Sequence, residues 1–426
     1  MRLSEIITYY SKPEVCAELV RLAENREFAA HFGLNVLAKR PDVLQFPGDI
    51  IKLVRSGATS FHVSEERWSN PMALITGIEK RDMDKLRIGF DLVLDIDCKV
   101  LEWSKICADL LVQALEWHNI SSTSVKFSGG TGFHIGVPFE AFPFDERIAF
   151  PDAPRAIAGY LKEFIKGQLA DRILEIENDL KKIAEKANKP GKSLIKNNAF
   201  DPYTIMDIDT VLIAPRHLFR MPYSLNEKKW LVSLPIRTKD IDDFTEELAR
   251  PANVTKFDVR FLDTNNVEKG EAAQLLTQAF DWQIRTEEKF SDKPVQIVEY
   301  ENKVPAEAFP PCMKLILAGL EDGRKRSLFT LVNFLKSARW SNAEIEQFIY
   351  AWNEKNKPPL KTGYVRTQLA WHSRQNKKMP PPNCRRFYED FGVCKPDFIC
   401  NKIRNPITYP RHKLGVKRVN KHSDQK

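Results

Sequence analysis

The chain has 426 residues, with 65 Lys and Arg against 57 Asp and Glu and a formal net charge of +8. Hydrophobic residues at 43% and aromatics at 10% are enough to bury two or three cores at this length, which excludes an intrinsically disordered chain. No apolar run reaches membrane-spanning length, and Met1-Arg2-Leu3-Ser4-Glu5-Ile6-Ile7 lacks the features of a signal peptide, so a cytoplasmic protein with no membrane attachment is expected.

The first segments read as a helix over residues 13–25, then Arg26-Glu27-Phe28 and the extended stretch Phe61 to Trp68. The chain next reaches Phe90-Asp91-Leu92-Val93-Leu94-Asp95-Ile96-Asp97. Alternation on a strand sends Phe90, Leu92, Leu94 and Ile96 to one face and Asp91, Asp95 and Asp97 to the other. Neighbouring carboxylates repel unless a cation lies between them, and hard oxygen ligands suit Mg²⁺ or Mn²⁺. About thirty residues on comes Phe127-Ser128-Gly129-Gly130-Thr131-Gly132-Phe133-His134. Its glycines let backbone amides approach a phosphate, with a hydroxyl from Ser128 and a chargeable donor from His134.

Residues 153–188 read as one long amphipathic helix, stopped at Asn188-Lys189-Pro190-Gly191 and inserted (about 153–190) without obvious chemistry of its own. Ile208-Asp209-Thr210-Val211 then precedes Arg216-His217-Leu218-Phe219-Arg220-Met221-Pro222-Tyr223-Ser224-Leu225-Asn226-Glu227-Lys228.

An aspartate pair on a strand is weak alone, and so is a glycine turn. In this order and spacing the three motifs resemble the archaeo-eukaryotic primase superfamily. That resemblance implies catalytic metal ligands at Asp95, Asp97 and a third aspartate, and nucleotide binding by Ser128, Gly129, Gly132, His134, Arg220 and Lys228. The count back from Pro222 leaves both Asp207 and Asp209 open as the third ligand; Asp209, flanked by Ile208 and Thr210 as in an extended segment, is favoured. Asn226 stands where the family carries histidine, which weakens one expected contact.

Residues 239–308 read as a connecting region, with a helix start near Asp240 to Glu247 and one strand between Ser291 and Pro305. From Phe309 to the end there are 24 Lys and Arg against 9 Asp and Glu, a net of +15 within a total of +8, so the first 308 residues carry −7. A basic module joined to an acidic one suits an enzyme that holds a polyanion with one part and does chemistry with the other.

Of seven cysteines, Cys16, Cys98 and Cys107 are scattered and read as small buried hydrophobes. Cys312, Cys384, Cys394 and Cys400 lie in one region beside turn residues. Paired C-x-x-C knuckles, usual for structural zinc, are missing, whereas a [4Fe-4S] cluster tolerates wide spacing; the cluster is favoured over zinc. Pro-Pro-Cys at the front and Asn-Pro-x-x-Tyr at the back resemble the C-terminal iron-sulfur domain of the primase large subunit. Between the cysteines, Leu328, Leu331, Val332 and Leu335 mark an inward helix face, and Arg324-Lys325-Arg326 stand at its start. Trp352, Tyr364, Trp371 and His372 alternate with cations in a manner suited to single strands, about half of them being core.

The expected fold class is therefore an α+β catalytic domain of archaeo-eukaryotic primase type, with mixed sheets and flanking helices, followed by a mainly helical iron-sulfur domain. Expected boundaries are 1–238, a connection over 239–308, the cluster domain over 309–410 and a basic tail over 411–426. The resemblance implies a nucleotidyltransferase, a DNA primase using Mg²⁺ or Mn²⁺ and a [4Fe-4S] cluster. It would act on single-stranded DNA template, RNA/DNA primer and NTPs or dNTPs, with a replicative polymerase or helicase as a further partner. Two alternatives stand beside it: a primase-polymerase or repair polymerase of the same superfamily, and a non-catalytic metal-cluster nucleic-acid-binding protein.

Overall fold

The computed structural model describes residues 1–33, 36–143, 150–196, 198–210, 213–265, 267–290, 300–321, 323–374, 379–384, 386–389 and 392–415. Packing divides the chain into two units, Met1–Phe290 and Ser291–Lys426.

In chain order the strands of the first unit are β1 (Phe28–Phe32), β2 (Val36–Leu37), β3 (Ala58–Ser64), β4 (Glu66–Trp68), β5 (Arg87–Phe90), β6 (Leu92–Cys98), β7 (Ser124–Phe127), β8 (Phe133–Val137), β9 (Ile195–Lys196), β10 (Ala199–Phe200), β11 (Met206–Ile208), β12 (Leu218–Arg220) and β13 (Pro235–Ile236). They form an antiparallel five-stranded sheet in the order β11-β6-β8-β7-β13 and a four-stranded sheet in the order β12-β3-β1-β2; β4 pairs with β5 and β9 with β10. Helices α1 (Leu3–Tyr10), α2 (Pro13–Ala23), α3 (Pro47–Arg55) and α4 (Lys80–Leu86) precede β6 in the chain. Leu92, Leu94 and Ile96 of β6 are buried in the largest core with the helix α5 (Leu101–Trp117), as the alternation requires. Val93, on the aspartate side, belongs instead to a second core beneath the four-stranded sheet.

Asp91 departs from the expected acidic face. It lies before β6, fully buried, bound by Arg26 and by Arg67 at 2.7 Å, so it is a structural ion pair. The long helix of residues 153–188 is two helices, α6 (Asp152–Glu177) and α7 (Leu180–Ala187). Asn178 between them has φ +51°, and the Asp179 carboxylate accepts from the Lys181 amide and caps α7. The insertion is part of the core: Leu161, Ile165, Leu169 and Ile173 are buried. No α-helix begins near Asp240; two short 3₁₀ turns, Thr238–Asp240 and Glu246–Ala249, stand there. The segment expected to connect the two parts adds α8 (Ala273–Phe290), which packs on α6. The strand expected after Ser291 falls largely on residues 291–299, outside the described residues.

The described part of the second unit is helical, with α9 (Pro311–Leu317), α10 (Arg324–Ser337), α11 (Asn342–Asn353), α12 (Thr362–Arg374), α13 (Arg386–Glu389) and α14 (Tyr409–Leu414). Leu328, Leu331, Val332 and Leu335 all face its core, as their spacing predicts. The expected tail begins inside α14, and residues 416–426 lie outside the described residues. Among the described residues no helix is long and apolar enough to cross a membrane.

Candidate active site and cysteine centre

The five-stranded sheet assembles its polar face by register. Asp95 of β6 pairs with His134 of β8, and His134 pairs with Lys126 of β7. On the other side the Asp209 amide donates to the Asp95 carbonyl at 3.0 Å, just beyond β11, where Asp207 pairs with Asp97. Directly opposed residues project to the same face. One row across four segments therefore reads Lys126, His134, Asp95, Asp209, and the next holds Asp97 and Asp207.

The electrostatics of that row are unbalanced toward negative charge. Burial, then the charges of Asp97 and Asp209, push the Asp95 carboxyl up to about 6 against the pull of Lys126 and His217. The Asp207 carboxylate is bound by the Lys162 ammonium. His134 Nε2 lies 3.4 Å from Asp95 Oδ1, and burial together with Lys126 and Arg220 holds its imidazole well below the usual histidine range. Its Nδ1 is buried and unpartnered.

The glycine turn is fixed by contact with the same strand. A Cβ on Gly132 would stand 1.9 Å from the Ile96 carbonyl oxygen, so only glycine lets the turn lie on β6. Gly129 has φ +84°, and Ser128 Oγ accepts from the Gly130 amide at 3.2 Å. Asn226 packs against this turn, and its Oδ1 accepts from the Lys228 and Lys229 amides at 2.9 and 3.2 Å. Arg220 donates to the Leu225 carbonyl at 2.6 Å and pairs with Glu227 at 2.8 Å; the Lys228 side chain is exposed.

Sequence reasoning missed Lys126, His217 and Glu65. Lys126 is fully buried, donates to Ser233 Oγ at 2.9 Å, and is driven well below the usual lysine range by burial. Its one sequence signal is a lone cation inside an apolar strand, Ser124–Phe127. His217 Nδ1 lies 3.4 Å from the buried Glu65 carboxylate, whose pKa burial pushes up to about 7.

In the second unit all four late cysteines come into one neighbourhood. Burial, then Cys384, Cys400 and Cys394, push the Cys312 thiol up. The turn residues do identifiable work there: the Cys384 amide donates to the Arg404 carbonyl at 2.7 Å, the Asn405 side chain to the Pro381 carbonyl at 2.8 Å, and the Tyr409 hydroxyl to Asp397 at 2.5 Å. Of the interleaved aromatics, Trp352 and His372 are core, while Trp371 is 44% exposed and Tyr364 sits under Lys325 at 5.4 Å. Cys16, Cys98 and Cys107 are buried.

Among the described residues no three His, Cys, Asp or Glu side chains close on one point as the ligands of a single ion do. The donor sets still suit the implied groups. A carboxylate, Asp95, whose proton affinity is raised by two others on its face suits a divalent cation. Four thiols in one electrostatic neighbourhood suit a metal group held by several cysteines.

Residues 90–238 match the family model for the DNA primase small subunit. The chain is 29% identical over 199 residues to the DNA primase small subunit PriS of Pyrobaculum arsenaticum, a match covering 41% of this chain and 60% of that protein. The polymerase domain of Mycobacterium tuberculosis Ligase D, solved in complex with DNA, superposes with a TM-score of 0.36 at 15% identity, covering 68% of this chain and 93% of that one.

Proposed function

We propose, from the match of residues 90–238 to the DNA primase small subunit family, that the chain is a primase carrying out template-directed nucleotidyl transfer. The observation that carries this reading is the register that sets Asp95 beside Asp209, with Asp97 on the same face and the Gly132 turn packed on the same strand. Asp95, Asp97 and Asp209 would hold Mg²⁺ or Mn²⁺, which when bound activates a 3′-hydroxyl and stabilises the charge of a departing pyrophosphate. His134, whose Nε2 lies 3.4 Å from Asp95 Oδ1, would help bind the triphosphate from beside the metal ligands. Backbone amides of the Ser128–Gly132 turn, with Arg220 and Lys228, bind the triphosphate.

In the second unit Cys312, Cys384, Cys394 and Cys400 would hold one [4Fe-4S] cluster with a structural duty. The exposed Trp371 and the cations around it hold single-stranded template or the initiating nucleotide. A replicative polymerase or helicase is the further partner this role implies. The test is synthesis on an unprimed single-stranded template with labelled NTPs and dNTPs compared. Products started without a primer support the proposal. Extension of supplied primers alone would favour a primase-polymerase or repair polymerase, and template binding without any synthesis a non-catalytic protein.

A further inference from the structure

Four aspartates share the acidic face. Asp207 stands opposite Asp97 in the strand register, and cross-strand neighbours on one face lie about 5 Å apart at Cβ, close enough for one cation to bridge. Without a competitor, Asp97 and Asp207 would form a second carboxylate pair beside Asp95 and Asp209. The structure supplies a competitor: the Lys162 ammonium on α6 binds Asp207 Oδ1.

That lysine is itself held in place. Its ammonium lies 4.6 Å from the centre of the Tyr203 ring, and the Tyr203 hydroxyl donates to the Lys162 carbonyl. Two turns earlier on the same side of α6, Arg155 Nε donates to the Ile213 carbonyl at 2.7 Å. The helix thus grips the chain at 207 and 213, on either side of Asp209. The Lys162 and Asp207 side chains keep 26% and 56% of their exposure, so the pair adds little to stability. What it changes is which carboxylates are available.

We propose that Lys162 is a positioning residue: by occupying Asp207 it confines divalent cations to Asp95, Asp97 and Asp209. The inference rests on the reading of that face as the metal site. It is tested by titrating the full chain with Mn²⁺, followed by electron paramagnetic resonance, in wild type, Lys162→Met, Asp207→Asn, Lys162→Met/Asp207→Asn and Asp209→Asn. Unmasking a carboxylate should tighten Mn²⁺ binding about fivefold in Lys162→Met, while nucleotide incorporation falls because the ion has an off-site alternative. The double variant should return Mn²⁺ affinity to the wild-type value. Asp207→Asn alone leaves the Lys162 ammonium unpaired beside the acidic face and should weaken that affinity by no more than about fivefold.

Unchanged or weakened Mn²⁺ binding in Lys162→Met overturns the inference, as does a tightening that persists in the double variant, where Asp207 is no longer there to be unmasked. A different pattern sinks the metal site itself: no Mn²⁺ bound by wild type, or binding indifferent to Asp209→Asn.

Discussion

A carboxylate attracts a cation most strongly where its surroundings leave it short of positive charge, and Asp95 is placed that way by Asp97 and Asp209 on its own face. Asp95→Ala or Asp97→Ala should abolish synthesis while leaving template affinity, read by fluorescence anisotropy, near the wild-type value. Asp209→Asn should be far more damaging to synthesis than Asp207→Asn; the reverse order would move the third ligand by two residues. Gly132→Ala should lower the melting temperature and synthesis together, because a methyl group 1.9 Å from the Ile96 carbonyl forces the turn off β6. The aspartates and glycines were legible because alternation and turn chemistry are local properties. Lys126 was not, since its partner Ser233 is 107 residues away in sequence. Lys162 was not either, since its partner Asp207 is 45 residues away in sequence.

The apolar periodicity of α6 and α7 runs through residues 153–188 almost unbroken, so the pair reads as one helix. The break is set by two small signals, the left-handed backbone at Asn178 and the Asp179 cap. Asn178→Val should destabilise the first unit by about 1–2 kcal/mol in chemical denaturation, whereas Asn178→Gly should be close to neutral. In the second unit α12 carries His372, 2% exposed and pushed down to about 4 by burial and then by Lys336. The fold requires the neutral imidazole. Its contribution is complete above the unfolded pKa near 6.5 and is lost as pH falls through 4, by about 3 kcal/mol. Denaturation midpoints should drop across that window, and His372→Leu should flatten the drop. Inward faces such as Leu328 to Leu335 were legible from spacing; the acidic stretch at Asp240 mimicked a helix start because charge alone does not supply an apolar stripe.

At the scale of the molecule, a carboxylate-bearing first unit and a strongly basic second unit would, under the proposed function, divide the labour of chemistry and of holding a polyanion. Protein purified without oxygen should be brown and contain about four iron atoms per chain, measured by elemental analysis. Cys384→Ser should remove that iron and reduce starts on unprimed templates much more than extension of a supplied primer, because only initiation must hold two nucleotides together before a product exists. Equal loss of both activities would make the cysteine centre a general folding element, and bound zinc would overturn the cluster. The row from Lys126 to Asp209 carries a further consequence, for the order of events in folding. Its members come from residues 126, 134, 95 and 209 and meet only through strand pairing, so the site is made of the long-range contacts that form slowly. A slip of one residue in any pairing would turn that strand's groups to the other side. In refolding experiments, Mn²⁺ affinity should return after the helical signal has recovered, and a chain still emerging from the ribosome gains no reactive centre until the strand before Asp209 is free to pair.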